Sequence, residues 1–459
     1  MEASKKISEL EEKLCSALAL IDELSKRVEE LESALASKNI KKTSNNSHLP
    51  PSKDLTSPSK KNRSLRKKSD DPVGGQKGHK GTTLQMSDTP DQVVDLHSDY
   101  CEACGNSLSE VPIKWVGRRQ VIDIPPIVPV TTEYRLHERI CPCGHCQVPS
   151  YPEGVDNHVQ YGPNLQSMVI YQNVYQYMPF QRLQDFFDKI MGVCLSKGTL
   201  ENILRRSAKK AEGTYEKLRQ VVEVSFFVGS DETGAKLKGK KMWFWVWQSA
   251  VVTYILAACS RSKKVIEETF PEGFPDSILG SDRLAAQLST VSKGNQVCLA
   301  HLLRDLNYLI EVEKTQWATD FKQVLKDAIA LKNMKDHYRE NDPKVVDIEA
   351  RADALLGQSF QELNWSKAHQ HKSMTFFKGM RKVRPALFTF LYHRLVPADN
   401  NSSERAIRPI KVKMKISGQF KSLQQEFAIL RSVIDTAIKN GQPVFNAIQA
   451  IVQLPRAAG

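Results

Sequence analysis

Two short apolar runs, Val224 to Gly229 and Ser277 to Gly280, each lead into a Ser-Asp pair, Ser230-Asp231 and Ser281-Asp282. A third acidic residue, Glu404, opens a late helical segment. Strand ends set short side chains at one edge of a sheet, and a helix packed beside the first strand can present a glutamate across from them. Three convergent carboxylates repel one another unless cations lie between them, and Mg²⁺ (or Mn²⁺), which prefers oxygen ligands, suits that need. Two such ions about 3.5–4 Å apart activate an oxygen nucleophile on one side of a phosphate and neutralise the leaving oxygen on the other. The expected chemistry is in-line phosphoryl transfer on nucleic acid. Spacing alone is weak support, because the chain holds 52 acidic residues. The surroundings strengthen it: between Asp399 and Lys421, Arg405, Arg408, Lys411, Lys413, Lys415 and Lys421 face only two acidic residues, a basic strip of the kind a phosphodiester needs.

A second set of residues points to zinc. Cys101-Glu-Ala-Cys104-Gly has the spacing and turn glycine of a zinc knuckle, and Cys141-Pro-Cys143-Gly-His-Cys146 follows. Tetrahedral Zn²⁺ takes four ligands, so two knuckles complete one site. Four of Cys101, Cys104, Cys141, Cys143 and Cys146 are expected to bind it; the second knuckle leaves open which, with His145 nearby. The ion's expected job is to fold a small module. Arg118 to Val130 alternates in part, like strands of a ribbon. The remaining cysteines Cys15, Cys194 and Cys259 are isolated and read as unmodified thiols.

These groups need positioning. The chain has 459 residues, a formal net charge of +13, 41% hydrophobic and 25% charged residues. That composition excludes wholesale disorder and collagen-like repeats, and the length suits several domains. The basic balance favours an acidic partner. No stretch supplies the roughly 20 apolar residues of a membrane span, and the first 40 residues are too charged for a secretory signal, so a cytoplasmic protein with reduced or metal-bound cysteines is expected. Residues 1–40 carry a heptad, with Ile7, Leu14, Ile21, Val28 and Leu35 interleaved by Leu10, Ala17, Leu24 and Leu31; this reads as a coiled-coil seam and predicts a homo-oligomer. Residues 41–94 read as a flexible basic linker. Eleven Lys and Arg residues lie in 41–81 against three Asp, and prolines forbid a packed core. Lys60, Lys61, Arg63, Lys67, Lys68, Lys77 and Lys80 are its candidate phosphate contacts, gaining free energy by counterion release.

Residues 95–155 form the zinc module. Residues 156–220 read as helices, starting at Tyr161-Gly162-Pro163, broken at Met178-Pro179, and capped again by Ser196, with DNA contact and plain helical packing equally open as their role. Residues 221–304 alternate strands and helices in the order strand, strand, strand, helix, strand, helical segment, strand. Residues 305–395 are a charged helical insertion. Residues 396–459 return to the catalytic unit, with Asn and Ser around 399–404 capping the Glu404 helix and a last helix pair from about Gln424 to Gln453.

The chain resembles a bacterial insertion-sequence transposase of the DDE type, in the insertion-sequence sixty-six family. Asp399-Asn400-Asn401 with Glu404-Arg405-Ala406-Ile407-Arg408-Pro409 carries the most specific match. Gly74-Gly75-Gln76-Lys77-Gly78-His79-Lys80-Gly81, Pro50-Pro51-Ser52, the paired knuckles, Gln160-Tyr161-Gly162-Pro163 and Asp231-Glu232-Thr233 match in the family's order. Cys298-x-x-His301 resembles a pair that follows the second Asp in several DDE families. Two features depart from the pattern: Ser47-His48-Leu49 lacks the usual Ser-Lys, and the second knuckle carries three cysteines. The resemblance implies an α/β, ribonuclease-H-like mixed-sheet catalytic domain with a helical insertion. It implies Asp231, Asp282 and Glu404 as the metal-binding triad, with Arg405 and Arg408 holding phosphates. It also implies cleavage at the 3′ ends of the element and joining of the freed ends to double-stranded target DNA, with accessory proteins of the same element as candidate partners.

Blander readings stand beside these. Trp243, Trp245 and Trp247 are expected to be sheet core rather than a base-stacking platform. Cys298 and His301 are expected to buttress the sheet, and Glu232 to be a supporting or solvent-facing carboxylate. The competing function is a non-catalytic zinc-ribbon DNA-binding regulator on a decayed nuclease fold.

Overall fold

The computed structural model describes residues 13–28, 31, 78, 81, 83–363 and 371–455. Its centre is a five-stranded sheet: β3 (Phe227–Leu237), β4 (Lys240–Gln248), β5 (Thr253–Ala258), β6 (Phe274–Ser281) and β7 (Ser292–Val297) in the order β5-β4-β3-β6-β7. A separate two-stranded ribbon, β1 (Arg139–Ile140) with β2 (Cys146–Gln147), lies earlier in the chain. β3, β4 and β5 form an antiparallel meander, while β6 and β7 add in parallel to β3. This mixed sheet is compatible with a ribonuclease-H-like domain. The Lys238-Gly239 turn joining β3 to β4 has both residues at positive φ, as a tight hairpin requires. Trp245 and Trp247 share a face, stacked with ring centroids 5.6 Å apart and fully buried; they are core.

Before the sheet come α1 (Pro163–Ile170), a π-helical turn at Tyr171–Tyr175, α2 (Phe180–Met191) and α3 (Lys197–Glu223). Pro163 starts α1, Pro179 precedes α2, and the Ser196 hydroxyl accepts the Thr199 N–H at 3.0 Å, each where the residue type favours a helix start. α3 buries Leu200, Ile203, Leu204, Ala208, Ala211 and Tyr215, a stripe of helical period that packs on β5 and on α12 (Gln424–Lys439). The helical region thus shares the core of the sheet.

Each edge of a sheet exposes unpaired backbone groups, and here both are covered. On β5 the N–H groups of Thr253 and Ile255 donate to Thr436 and Ser432 of α12, at 3.1 and 2.9 Å. The Ile255 carbonyl accepts the Tyr215 hydroxyl at 2.7 Å. On β7 the Asn295 carbonyl accepts the Thr389 hydroxyl at 2.7 Å, and Gln296 accepts the Phe390 N–H at 2.8 Å. Thr389 and Phe390 belong to the stretch that follows β7: α4 (Lys263–Thr269) and α5 (Ala285–Leu288) lie earlier, then α6 (Leu299–Val312), α7 (Gln316–Met334), α8 (Pro343–Gly357), α9 (His371–Val383) and α10 (Thr389–Tyr392). Their apolar faces close over Ile278 and Val297, so the inserted helices cover the β7 edge and complete a second core. α6 carries the chain across residue 305 unbroken. The chain then returns in α11 (Asn401–Ser417), α12 and α13 (Val444–Gln453), with α11 lying on β3 and β4.

Outside this body, residues 13–28 are helical, as the heptad predicts, with Leu14, Ile21, Leu24 and Val28 all exposed. The alternation of Arg118 to Val130 does not become strands. Pro125, Pro126 and Pro129 lack the N–H donors that a ladder requires. Among the described residues, no helix is long and apolar enough to cross a membrane.

One lysine of this body is buried and another half-buried. Lys413 of α11 donates to the Asn173 carbonyl at 3.1 Å, and Lys439, near the end of α12, donates to the carbonyls of Ser249 and Val252 at 2.6 and 2.8 Å. Burial lowers both from 10.5 to about 8. The unfolded chain then binds more protons than the native protein between about pH 8 and about pH 10.5, so stability rises with pH across that window. In denaturant melts, Lys413→Met should flatten that rise by up to about 3 kcal/mol relative to the parent chain. An unchanged slope would show that Lys413 titrates as an exposed amine.

Candidate active site

The register of two parallel strands brings the first two carboxylates together. Gly229 of β3 pairs with Gly280 of β6. Two residues further along each strand stand Asp231 and Asp282, so the chain carries the same tripeptide, Gly-Ser-Asp, twice at one level of the sheet. In strands, residues two apart share a face, which sets both aspartates on the face of the paired glycines. The expectation that β3 ends before Asp231 is corrected. β4 pairs with it as far as Leu237, so Asp231 lies mid-strand, opposite Val246, just beyond the last β6 partner. Asp282 does follow its strand, and the next residue, Arg283, takes φ 70°, a strained turn of the kind found at functional sites.

α11 delivers Glu404 in its first turn. A Cβ on Gly229 would lie 2.6 Å from the Ser403 hydroxyl and 2.5 Å from the Gln248 amide nitrogen, so glycine is what lets the helix approach the strand. Asn400 does not cap α11 with its side chain, contrary to the sequence reading. Its amide instead donates to the Ser230 carbonyl at 2.9 Å and reaches Asp282 at 3.4 Å, and its backbone N–H donates to the Cys298 sulfur at 3.1 Å. His301, in the first turn of α6, lies between the other two acids: Nδ1 is 3.1 Å from Asp282 and Nε2 is 3.6 Å from Glu404. Arg304, one turn on, reaches Glu404 at 3.4 Å. Asn400 thus joins β3 to Asp282, and His301 and Arg304 join α6 to Asp282 and Glu404, while Asp231, Asp282 and Glu404 do not themselves meet as a group within 4.8 Å.

The electrostatics follow from that crowding. Burial raises the Asp231 carboxyl well above the usual range, and the nearby charges of Asp282 and Glu232 raise it further; Lys411 opposes them. Glu232 points to the opposite face, where two guanidinium nitrogens of Arg261 and the Gln287 amide hold it. It is a buried supporting carboxylate, as expected. Cys298 and His301 do tie the sheet to α11, and with Asp282 they also form the one group of three metal-capable side chains, within 4.8 Å of one another, among the described residues.

The basic strip is narrower than the composition suggested. Arg408, Lys411 and Lys415 follow Glu404 at helical spacing and are exposed. Lys413 is buried, and Arg405 turns to Ser402 at 2.9 Å on another face. The linker candidates Lys60, Lys61, Arg63, Lys67, Lys68, Lys77 and Lys80 lie outside the described residues.

The cysteine turns form, each with a positive-φ glycine, Gly105 and Gly144, whose N–H donates back to the carbonyl of Cys101 or Cys141 at 2.8 Å. Backbone N–H groups lower the Cys101 and Cys143 thiols, the first through Ala103 and the second through His145. Cys146 instead donates to Glu138 at 3.3 Å, which raises it. The five cysteines do not meet in one group of three or more.

Sequence reasoning missed Asn400 and Arg304 as members of the site. The twin Gly-Ser-Asp tripeptides were a usable signal for register. Nothing in the sequence alone tells Asn400 to reach across to Ser230. A search of curated proteins gave no match. The model of the transposase IS66 family matches residues 158–426, from just before α1 to the first turn of α12 and so more than half of the chain. That match makes this chain a member of the transposase IS66 family, and the mixed sheet is compatible with it.

Proposed function

We propose that this chain cleaves the 3′ ends of an insertion sequence and joins them to target DNA, with Asp231, Asp282 and Glu404 as the ligands of Mg²⁺ or Mn²⁺. The observation that supports the reading is the Gly229–Gly280 register, two residues before Asp231 and Asp282, together with Glu404 in the first turn of the helix that lies on β3. The donors fit: three carboxylates supply only hard oxygen ligands, and the Asp231 carboxyl, raised first by burial and then by the charges of Asp282 and Glu232, lies where a divalent cation would favour its ionised form. When bound, such ions polarise the attacking and leaving oxygens of a phosphodiester. The chain's own residues do the rest. Asn400 and Arg304 hold Asp282 and Glu404 in place, and Arg408, Lys411 and Lys415 offer a row of cations along which a DNA backbone lies beside the carboxylates.

The remaining assignments belong to the same reading. The basic linker contacts DNA without reading sequence. The exposed heptad seam associates with a second copy. The two cysteine turns, drawn together by one Zn²⁺, fold a small module that reads the element ends; the contacts favour Cys101, Cys104, Cys141 and Cys143, with Cys146 engaged by Glu138.

Asp231→Asn, Asp282→Asn and Glu404→Gln should each lower Mg²⁺-dependent nicking of duplexes carrying element ends by about a thousandfold or more while gel-shift binding persists. Nicking that survives all three changes rejects the triad; binding without nicking by the parent chain favours a regulator. Arg408→Ala and Lys411→Ala should weaken DNA binding across sequences and each reduce the salt slope by about one; an unchanged slope removes them from the DNA path. Chelation, or Cys101→Ser, should release zinc and weaken binding to element ends, and full binding by the zinc-free protein would refute the ribbon's role.

A further inference from the structure

We infer that Asp282, Cys298 and His301 form a second metal position, selective for a borderline-soft divalent ion such as Zn²⁺, that shares Asp282 with the carboxylate site and so opposes it. The inference deepens the nuclease reading and rests on it for the functional consequence, though not for the binding itself.

The donor set differs in kind from the triad. A thiol, an imidazole and a carboxylate suit Zn²⁺ or Co²⁺ rather than Mg²⁺. His301 Nδ1 lies 3.3 Å from the Cys298 sulfur and 3.1 Å from the nearer Asp282 oxygen. Tetrahedral ligands at Zn–S near 2.3 Å and Zn–N near 2.0–2.1 Å stand about 3.4–3.6 Å apart, so the two His301 contacts need to open by only a few tenths of an ångström, and the sulfur and the Asp282 oxygen lie within 4.8 Å of each other. The sulfur already accepts one backbone N–H, that of Asn400 at 3.1 Å, as a thiolate ligand would. That repeats the arrangement at Cys101, where the N–H groups of Ala103 and Cys104 do the same. On the far side of the ring, His301 Nε2 faces Glu404 at 3.6 Å, the carboxylate–histidine–metal order that orients ligating imidazoles.

As the metal–sulfur bond forms, the Cys298 S–H bond breaks and its proton passes to solvent. Cys298 is buried while the Asp282 side chain is 26% exposed, so the fourth position opens to solvent on the aspartate side. An ion there takes Asp282 as a ligand and draws Glu404 toward His301, removing two members of the triad from the hard-metal pair.

Co²⁺ titration of the full chain, followed by the thiolate-to-cobalt absorption band and by bound metal per chain, tests the site. Cys298→Ser and His301→Gln should each bind one equivalent less than the parent protein, whatever the cysteine turns contribute, whereas Cys101→Ser should keep this equivalent. Circular dichroism checks folding, and if Cys298→Ser fails it, His301→Gln carries the comparison. Equal uptake and an equal sulfur band in the folded variants and the parent overturn the site. In Mg²⁺-supported nicking, half-inhibition by Zn²⁺ should need at least a tenfold higher concentration in His301→Gln than in the parent, each against its own zinc-free rate. Lost cobalt with unchanged zinc sensitivity keeps the site and overturns its opposition to the triad. A parent chain that never nicks DNA defeats the nuclease reading, while the cobalt count still decides the site.

Discussion

Two strands can set acids side by side only where their pairing register and their face agree, and in this sheet the contact of Gly229 with Gly280 meets both conditions. A side chain at Gly280 would lie 2.6 Å from the Phe227 ring, and one at Gly229 would push against Gln248, Ser403 and Asn400. The bare backbone therefore lets β3 and β6 settle in register, lets α11 lie close on the same face, and leaves Asp231 and Asp282 two residues further on. The remaining geometry of the site hangs on that approach: without it, the helix that carries Glu404 stands off the strand.

Gathering like charges costs free energy, and at Asp231 the charges of Asp282 and Glu232 add to burial in raising the carboxyl. Neutral and cationic groups around the acids contain that cost. Asn400 spans Ser230 and Asp282, Cys298 accepts the Asn400 N–H, His301 lies between Asp282 and Glu404, and Arg304 meets Glu404. The same contacts that fix the carboxylates also assemble a thiol and an imidazole beside one of them, so positioning and metal selectivity arise from one network. On the other face, Glu232 is spent on Arg261 and Gln287, which explains why two adjacent acids have unlike roles.

The inserted helices have a part in this arrangement despite their distance in sequence from the acids. Thr389 and Phe390 satisfy the outer groups of β7, and their apolar neighbours close over Val297. β7 leads through Cys298 into α6, whose first turns present His301 and Arg304, so covering that edge steadies the site. The helices before the sheet serve the opposite edge with α12 in the same way, which gives residues 163–223 a packing role in the sheet domain itself.

Much of this was legible in the chain. Apolar runs with period-two patterning gave the strand order; Pro163, Pro179 and Ser196 marked helix starts, because each acts through its own backbone or its nearest neighbours. Asp282 and Glu404 were identifiable as acids at element ends, whereas Asp231, read the same way, lies mid-strand; the linear motifs around all three carried the family. Local rules failed where a residue's partner was distant. Asn400 looked like a helix cap, yet its amide is used on a strand 170 residues away in sequence. Lys413 looked like part of a phosphate track, yet the turn of α11 sends it into the core. Composition and periodicity are sums over neighbours in sequence, so they determine element type and the supply of chemical groups. Which groups meet, which face water, and which charge must be borne in a half-buried pocket are properties of packing, and only the tertiary structure decides them.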